Sequence, residues 1–408
     1  MKARAWETDR LARLDEVLER HVADGEVVGM TWLVARGGDV HVGAAGTLAA
    51  GAAGDGGPGG TPPAPVARDT IYRISSTTKP IVAAAALTLV EDCVLRLDDP
   101  VDDLLPELAD RRVLADPSGS IDDTVPADRP ITLRDLLTFR SGLGWDFAAT
   151  GPQPVNEALL ERGLGGGPPA PQQAPAPDEW MRIIGSVPLA RQPGSAWLYH
   201  TSADILGVLV ARATGRPLEL ALAERVLGPL GMDDTAFFVP EPDRERFGAV
   251  YATDPGTGER TVYDPPDGQW ATPPPFPGGG AGLVSTVDDL AAFASMLLAG
   301  GVHRGHRLLA RPTVEAMTTN QLPPEQLAVY DPEGIQGWGL GLGVSLRRDG
   351  TTRSAGSYGW DGGLGSAWSN DPDEDLVGVL LTNQAWASPA PPPVARDFWS
   401  ATYAAFAD

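Results

Sequence analysis

The feature that most constrains the fold is residues 80–97, PIVAAAALTLVEDCVLRL, which predict a helix that is apolar on almost every side. A helix without a polar face has to be buried among other elements, so the chain must build a core around it. Proline is tolerated near a helix start and disruptive inside, so Pro80 predicts a start around Ser76, with Lys79 in or near the first turn. Cys93, the single cysteine, falls in the same apolar pattern and is interpreted as a packing residue, not a catalytic one.

The two ends of the chain carry different secondary-structure signals from the middle. Apolar residues at helical spacing near the N-terminus predict an amphipathic helix, and residues 27–46 predict two strands around a glycine turn. Strand-like segments return at residues 337–348, 365–372 and 375–384, and a final helix is expected from about residue 393. The segments in between predict mainly helices. We therefore expect an α/β (α+β) architecture, in which both ends of the chain form a sheet that is packed by helices.

This pattern also predicts how the chain divides into domains. With 408 residues it is long enough for a sizeable core. An α/β domain is expected to take residues 1–85 and 280–408, and a mainly helical domain to take residues 86–279. Within the helical domain, residues 163–177, GLGGGPPAPQQAPAP, are low in complexity and are predicted to form a mobile loop.

The composition argues against several functional classes. A formal net charge of −23 and a pI of about 4.5 argue against nucleic-acid or anionic-membrane partners, because both need a basic surface. No His/Cys/Asp/Glu cluster has metal-ligand spacing, and no Gly-rich run has the Lys-Ser/Thr of a phosphate loop, so no metal or cofactor is expected. No segment approaches the roughly 18 apolar residues of a membrane span, and no signal-like segment is seen, so a cytoplasmic location is predicted. The oligomeric state is left open.

Lys79 stands out because it is one of two lysines, with Lys2, among 31 basic residues. Arginine keeps its proton in proteins, whereas a lysine can lose its proton when it is buried or lies near positive charge. The positive end of a helix and burial would both lower the pKa of Lys79. Ser76 lies three residues earlier, which places both side chains on one helical face, about 5–6 Å apart at Cβ. The segment therefore predicts a hydroxyl nucleophile beside a neutral amine base, with the Ser76 N–H as half of an oxyanion hole.

Other arrangements of a nucleophile have weaker support. A lone Ser-x-x-Lys occurs by chance in many proteins, but the scarcity of lysine and the apolar helix behind it add weight here. No G-x-S-x-G elbow is present. A Ser-His-Asp triad would have to draw on five histidines that have no telling context, namely His21, His41, His200, His303 and His306.

Six segments in order resemble the serine β-lactamase and penicillin-binding-protein superfamily, especially its class C-like members: family VIII esterases, D-amino-acid amidases and peptidases, and related acyltransferases. The segments are YRISSTTKPIVAAAALTLVEDCVLRLDDPV, ITLRDLLTFRSGL, PGSAWLYHTSADILGVLVARATG, LGPLGMDDTAF, GGAGLVSTVDDLAAFASMLL and YGWDGGLGSAWSNDPDEDLVGVLLTNQ. Each is modest alone, but their order over roughly residues 12–383 makes the resemblance specific. It implies a β-lactamase/transpeptidase-like fold, with an antiparallel sheet flanked by helices and a mostly helical domain.

The resemblance implies a role for each matched residue. Ser76 corresponds to the acylated nucleophile and Lys79 to its partner base. Tyr199, in WLYHTSADILG, matches the second-motif tyrosine, although its sequence context alone would favour a core aromatic at a helix entrance. Its phenol is expected to relay protons between Ser76 and the leaving group, with Lys79 keeping the pKa of Tyr199 low. Thr201 stands where the family often has asparagine, and is assigned to substrate binding.

The third motif departs further from the family pattern. Trp360, Asp361 and Gly362 stand where β-lactamases carry Lys-Thr-Gly or a close variant, and they are assigned to substrate binding. An aromatic ring next to an acid replaces a cation that would hold a substrate carboxylate. The site is therefore expected to repel carboxylates and to accept an uncharged, apolar group, with strand packing as the alternative role of Trp360. The next backbone N–H, of Gly363, would complete the oxyanion hole with that of Ser76.

These assignments predict a serine hydrolase of carboxylesterase type that cleaves esters of small, uncharged acyl groups through an acyl-enzyme on Ser76. Three alternatives stay open. The first is an acyltransferase that uses the same acyl-enzyme. The second is a D-amino-acid amidase or peptidase, or a weak β-lactamase. The third is a non-catalytic binding module that kept the fold. The expected partner is a small-molecule ester or amide.

Overall fold

A seven-stranded sheet, in which every neighbouring pair of strands is antiparallel, forms the centre of the molecule. The computed structural model describes residues 5–51, 63–165, 168–254 and 256–407. Lys2, and residues 166 and 167 of the predicted mobile loop, lie outside the described residues. The antiparallel sheet and the helices around it confirm the predicted α/β (α+β) class.

The described part of the chain has fifteen strands, and those of the central sheet come from both ends of the chain, as predicted. The strands are β1 (Gly29–Arg36), β2 (Asp39–Gly46), β3 (Tyr72–Arg73), β4 (Arg112–Leu114), β5 (Thr124–Pro126), β6 (Val250–Thr253), β7 (Arg260–Asp264), β8 (Val284–Ser285), β9 (Val302–His303), β10 (His306–Arg307), β11 (Gln336–Trp338), β12 (Gly343–Ser345), β13 (Tyr358–Gly362), β14 (Ser366–Asp371) and β15 (Leu376–Thr382). The central sheet has the order β11–β12–β13–β14–β15–β1–β2. The remaining strands form four two-stranded pairs, of which β3–β8 lies next to the candidate site.

Helices cover the sheet and fill the middle of the chain. They are α1 (Thr8–Ala23), α2 (Thr78–Glu91), α3 (Leu133–Leu137), α4 (Pro154–Glu161), α5 (Pro177–Gly185), α6 (Thr201–Thr214), α7 (Leu218–Leu222), α8 (Gly228–Leu230), α9 (Val287–Leu298), α10 (Arg311–Met317), α11 (Pro324–Tyr330) and α12 (Pro393–Ala404). Helices α1 and α12 pack together in a core with β1, to which Leu14, Leu18, Trp32, Phe398 and Trp399 contribute. A second, larger core contains α2, α6 and α9 with residues of β1 and β15.

Helix α2 is buried along nearly its whole length, as its apolar sequence predicts. Every residue from Thr78 to Leu89 is buried. The prediction for Cys93 is wrong: α2 ends at Glu91, and Cys93 lies beyond it, exposed and with a φ of 59°. The apolar pattern runs past the helix end because Leu95 and Leu97 still pack against the core from the following turn.

The described part of the predicted mobile loop makes several polar contacts. The Gln172 side chain donates to the carbonyl oxygens of Gln269 and Thr272, and the Pro169 carbonyl oxygen accepts the Tyr263 hydroxyl. The domain boundaries and the mobility of this loop stay predictions. Within the described residues, no helix has the length and apolarity to cross a membrane, and no three His, Cys, Asp or Glu side chains are grouped to hold a metal ion.

Candidate active site

Ser76 lies in a short turn that joins strand β3 to the buried helix α2. A 3₁₀ turn, Ser75–Thr77, leads directly into α2, so Lys79 is in the first turn of the helix, as predicted. Ser75 has a φ of 46°, a left-handed conformation that residues other than glycine rarely adopt. Strain of this kind persists only where the surrounding structure enforces it, and it is frequent at functional sites.

Side chains fasten this turn to the ends of β13 and β14. Thr77 Oγ1 and Ser366 Oγ are 2.8 Å apart, and Ser366 Oγ donates to the Ile74 carbonyl oxygen at 2.7 Å. Gly362 lies so close to the same carbonyl group that a Cβ atom there would be 2.3 Å from the Ile74 oxygen. Since no side chain fits in that space, Gly362 sets the distance between the turn that carries Ser76 and strand β13.

The Lys79 side chain is buried and has three hydrogen-bond partners. Its Nζ lies 2.8 Å from Ser76 Oγ, 2.5 Å from the Gly280 carbonyl oxygen and 3.3 Å from His200 Nδ1. Burial lowers the pKa of Lys79 to about 7, although the negative charge of Asp204 acts to raise it. A pKa near 7 leaves much of the amine neutral at neutral pH, and an amine can act as a general base only when it is neutral. The direction of this shift is the one predicted from the sequence.

Tyr199 is positioned by a backbone bridge to Trp145, in which each N–H donates to the other residue's carbonyl oxygen, at 2.9 and 2.8 Å. Its hydroxyl hydrogen-bonds with Ser76 and accepts the indole N–H of Trp360 at 2.9 Å. Burial raises the pKa of Tyr199 to about 12, and these two hydrogen bonds only partly oppose the shift. The expectation that Lys79 keeps the pKa of Tyr199 low is therefore wrong, because burial of the phenol raises its pKa more than these hydrogen bonds lower it.

The hydroxyl groups of Ser76 and Tyr199 can each act as donor or acceptor in this arrangement. The Tyr199 oxygen accepts the N–H of Trp360, and its own O–H can still donate to Ser76 Oγ. When Lys79 is neutral, its lone pair can accept the O–H of Ser76. This arrangement can move a proton from Ser76 to Lys79 while Ser76 Oγ attacks an electrophile, with Tyr199 kept as a protonated donor.

His200 and Asp204 also belong to the site, although the sequence context of His200 was judged uninformative. His200 Nδ1 faces Lys79, and its Nε2 lies 3.0 Å from Asp204 Oδ2. Asp204 Oδ1 accepts the N–H of Gly280 at 2.7 Å. Burial alone would raise the pKa of Asp204, but His200, this N–H and Lys79 together lower it. A sequence signal existed: His200 directly follows Tyr199, and Asp204 is four residues further on, one helical turn away.

The other predicted residues lie around this centre in different settings. Thr201 is buried at the first position of α6. Gly363 has open space where a side chain would stand. Among the main-chain hydrogen bonds outside the helices and strands of the described chain, none is donated by the N–H of Gly363 or by that of Ser76. Asp361 Oδ1 is buried and makes no hydrogen bond to the described residues, and burial raises the pKa of Asp361.

Aromatic rings form a wall around Tyr199. Trp360 lies 5.9 Å from Tyr199 and 4.6 Å from Trp338, measured between ring centroids, and Trp197 stacks on Tyr199 at 5.6 Å. Phe147 lies 5.4 Å from Tyr199 and is 61% exposed. The ring of Tyr199 is therefore surrounded largely by other aromatic rings, one of which reaches solvent.

Known proteins that are similar to this chain include one that is named an esterase and one that is named a synthase. The Beta-lactamase family model matches residues 14–396. Esterase EstB of Burkholderia gladioli is 33% identical over 403 residues, which cover 92% of this chain and 91% of that protein. A Mycobacterium tuberculosis protein (strain CDC 1551 / Oshkosh) is 37% identical over 327 residues, 78% of each protein. The solved structure of the LovD6 mutant of simvastatin synthase, from Aspergillus terreus, is 25% identical, with a TM-score of 0.78 and 97% of both chains covered.

These likenesses extend over most of the chain and are not confined to one motif. The family match includes the turn with Ser76, the segment with Tyr199 and strand β13. The structural likeness confirms the predicted β-lactamase/transpeptidase-like fold. The chain therefore belongs to the beta-lactamase family and is a serine hydrolase of that fold.

Proposed function

We propose that this serine hydrolase cleaves esters of small, uncharged acyl groups, with Ser76 as the nucleophile and Lys79 as its base. The observation that carries the proposal is the buried amine of Lys79, 2.8 Å from Ser76 Oγ, with a pKa lowered to about 7. Such an amine can take the Ser76 proton at neutral pH. Ser76 Oγ then attacks the ester carbonyl, and the N–H groups of Ser76 and Gly363 hold the resulting oxyanion.

The proton then follows the electrons to the leaving group. When the tetrahedral intermediate collapses, the bond to the alkoxide breaks, and the Lys79 ammonium returns the proton with Tyr199 as the relay. Because the pKa of Tyr199 is raised to about 12, we assign it the role of a donor and not of a phenolate base. In the second half of the cycle a water attacks the acyl-enzyme, Lys79 takes the water proton, and Ser76 is restored as the acid leaves.

The apolar surroundings of the site support an uncharged substrate. Trp360 stands where the resemblance would place a cation, and its ring faces the other aromatic side chains around Tyr199. Lys79, beside Ser76, is partly neutral at neutral pH, and a second cation, Arg353, acts on the buried carboxyl of Asp361. Esterase EstB, by its name, acts on esters, which fits this assignment. We assign Trp360, Asp361, Gly362 and Thr201 to the substrate side of the site, with Gly362 acting through backbone fit.

A matched pair of chromogenic esters tests the proposal. p-Nitrophenyl butyrate and mono-p-nitrophenyl succinate have similar acyl lengths but differ in a terminal carboxylate. We expect at least a tenfold higher kcat/KM for the butyrate, and complete loss of turnover in Ser76→Ala. Retained turnover in Ser76→Ala would refute Ser76 as the nucleophile, and equal or better use of the succinate would refute the preference for uncharged acyl groups.

An acyltransferase that uses the same acyl-enzyme is the second candidate. The likeness to Acyltransferase calJ of Penicillium decumbens favours it, since the two sequences are 28% identical over 366 residues, 82% of each protein. The two functions differ only in whether water or another nucleophile takes the acyl group. Product analysis in the presence of a graded series of alcohols separates them: an ester product that outcompetes the free acid at millimolar alcohol would identify a transferase.

The remaining alternatives are separated by substrates. Nitrocefin tests for β-lactamase activity, and D-amino-acid p-nitroanilides test for amidase activity. We expect neither to approach the rate of p-nitrophenyl butyrate, because Lys-Thr-Gly is replaced by Trp360, Asp361 and Gly362. Labelling by a fluorophosphonate would exclude a non-catalytic binding module. The cytoplasmic location and the absence of nucleic-acid and membrane partners stay predictions from the sequence.

A further inference from the structure

The three partners of Lys79 match the hydrogen-bonding capacity of a neutral amine. A neutral lysine has two N–H donors and one lone pair. If the lone pair is to accept the Ser76 proton, both N–H groups must be directed elsewhere. The Gly280 carbonyl oxygen, at 2.5 Å, takes one of them. The only other partner of Nζ among the described residues is His200 Nδ1, at 3.3 Å.

His200 can receive that N–H only in one of its two neutral forms. Nδ1 accepts a hydrogen bond only if it carries no proton, so the ring proton has to be on Nε2. Nε2 lies 3.0 Å from Asp204 Oδ2, and a carboxylate accepts but does not donate. Asp204 therefore selects the form of His200 that accepts from Lys79.

The backbone around His200 is built to hold this arrangement. His200 has φ 83° and ψ −65°, a strained conformation directly after Tyr199 and before helix α6. The other oxygen of Asp204 accepts the N–H of Gly280, the residue whose carbonyl oxygen takes an N–H from Lys79. Asp204 thus fixes both acceptors of the Lys79 amine.

We propose that His200 and Asp204 are positioning residues that direct the lone pair of Lys79 at Ser76, His200 as acceptor and Asp204 as the group that sets its tautomer. The inference rests on the proposed function, in which Lys79 is the base. The charged and titratable groups that face His200 are Lys79, Asp204 and the Tyr199 phenol. A second proton on the ring would turn Nδ1 into a donor and remove the acceptor.

Two substitutions of His200 separate its two nitrogens. His200→Asn places an amide oxygen near the position of Nδ1, whereas His200→Gln reaches towards Asp204 and leaves Lys79 without this acceptor. We expect His200→Gln to lose about 10- to 100-fold in kcat, because it loses one hydrogen bond to a charged or reacting group. His200→Asn should keep at least tenfold more activity than His200→Gln. His306→Gln, at an exposed position, is the matched control and should equal the wild type.

Asp204→Asn tests the tautomer of His200 without changing His200 itself, the residue with the strained backbone. Its amide oxygen can still accept the N–H of Gly280, but its NH₂ would donate to His200 Nε2 and move the ring proton to Nδ1. We expect a loss of kcat of at least tenfold with an unchanged melting temperature. Because the Asp204 charge raises the pKa of Lys79, the acid limb of the pH–rate profile should also move to lower pH.

The outcomes distinguish this inference from the proposed function. If His200→Gln and Asp204→Asn both keep the wild-type kcat and pH profile while Ser76→Ala is inactive, the proposed roles of His200 and Asp204 are overturned. The proposed function would still stand. Equal losses in His200→Asn and His200→Gln, with Asp204→Asn like the wild type, would also overturn them. Activity in Ser76→Ala would instead refute the proposed function itself.

Discussion

The indole N–H of Trp360 donates a hydrogen bond to the Tyr199 hydroxyl oxygen across 2.9 Å. This contact occupies one acceptor site of that oxygen and leaves the Tyr199 O–H free to donate to Ser76. In the proposed mechanism, Trp360 therefore helps to orient the Tyr199 hydroxyl and also forms part of the aromatic wall.

Trp360→Phe should separate these two contributions. Phenylalanine keeps an aromatic ring in the wall but has no N–H, so only the hydrogen bond to Tyr199 is lost. A neutral hydrogen bond is worth about 0.5–1.5 kcal/mol, which corresponds to roughly a three- to tenfold drop in kcat. KM for p-nitrophenyl butyrate should change little. A rise in KM with kcat unchanged would show that Trp360 serves only in binding.

The pH dependence of turnover should follow the proton of Lys79. Since its pKa is lowered to about 7, the amine becomes neutral, and active as a base, as the pH rises through 7. We expect kcat/KM for p-nitrophenyl butyrate to rise through about pH 7 and then to level off. The Tyr199 phenol, with a pKa of about 12, should cause no loss below pH 10. Activity that falls between pH 6 and 8 would contradict the assignment.

Lys79→Arg should be inactive at every pH between 6 and 8. Arginine keeps the positive charge and the length of the side chain but cannot lose its proton. The melting temperature and circular dichroism spectrum show whether the variant is folded. Measurable burst kinetics in a folded Lys79→Arg protein would mean that another group activates Ser76.

The buried amine of Lys79 should also lower the free energy of unfolding, by an amount that depends on pH. Its pKa is about 7 when folded and near 10.5 in an ordinary environment, so between these values the unfolded chain binds more protons. Stability therefore rises with pH across this window, and the full penalty is present below pH 7. Relative to Lys79→Met, which has no such proton, the wild type should gain up to about 4 kcal/mol in unfolding free energy from pH 7 to 10.5. If chemical denaturation gives the same difference in unfolding free energy between the wild type and Lys79→Met at pH 7 and at pH 10.5, the amine is not desolvated.

Gly362→Ala should damage both the fold and the site. A Cβ atom would lie 2.3 Å from the Ile74 carbonyl oxygen and from Ser366 Oγ, and backbone cannot move away as a flexible side chain can. Overpacking of this kind costs about 1–3 kcal/mol, and here it would displace the turn that carries Ser76. Gly363→Ala is the matched control for stability, because its Cβ would meet open space. Equal melting temperatures of the two variants would contradict the tight contact at Gly362.

The sequence predicted those parts of the fold that depend on local patterns. The apolar run of α2 required burial, and Pro80 limited where the helix could start, so Lys79 was correctly expected in its first turn. The strand-like segments at both ends pointed to a sheet built from the two termini. Cys93 was misassigned because the apolar pattern continues past the helix end at Glu91.

The rest of the site depends on contacts between distant segments. Gly280 contributes a carbonyl oxygen and an N–H, and a backbone group leaves no mark in the identity of a residue. His200 follows Tyr199 directly in the sequence, but its contact with Lys79, 3.3 Å from its Nδ1, depends on how α2 packs against that segment. The pKa of Tyr199 was expected to be low because its neighbour is basic, but the aromatic wall that raises it comes from several separate segments.

The covalent intermediate can be located directly. The enzyme is mixed with excess p-nitrophenyl butyrate, quenched in acid within the burst phase, digested and mapped by mass spectrometry. We expect one butyryl group on the peptide that contains Ser76, in an amount that matches the burst of p-nitrophenol, and none in Ser76→Ala. A burst with the acyl group on another residue, or turnover without any adduct at Ser76, would contradict the mechanism.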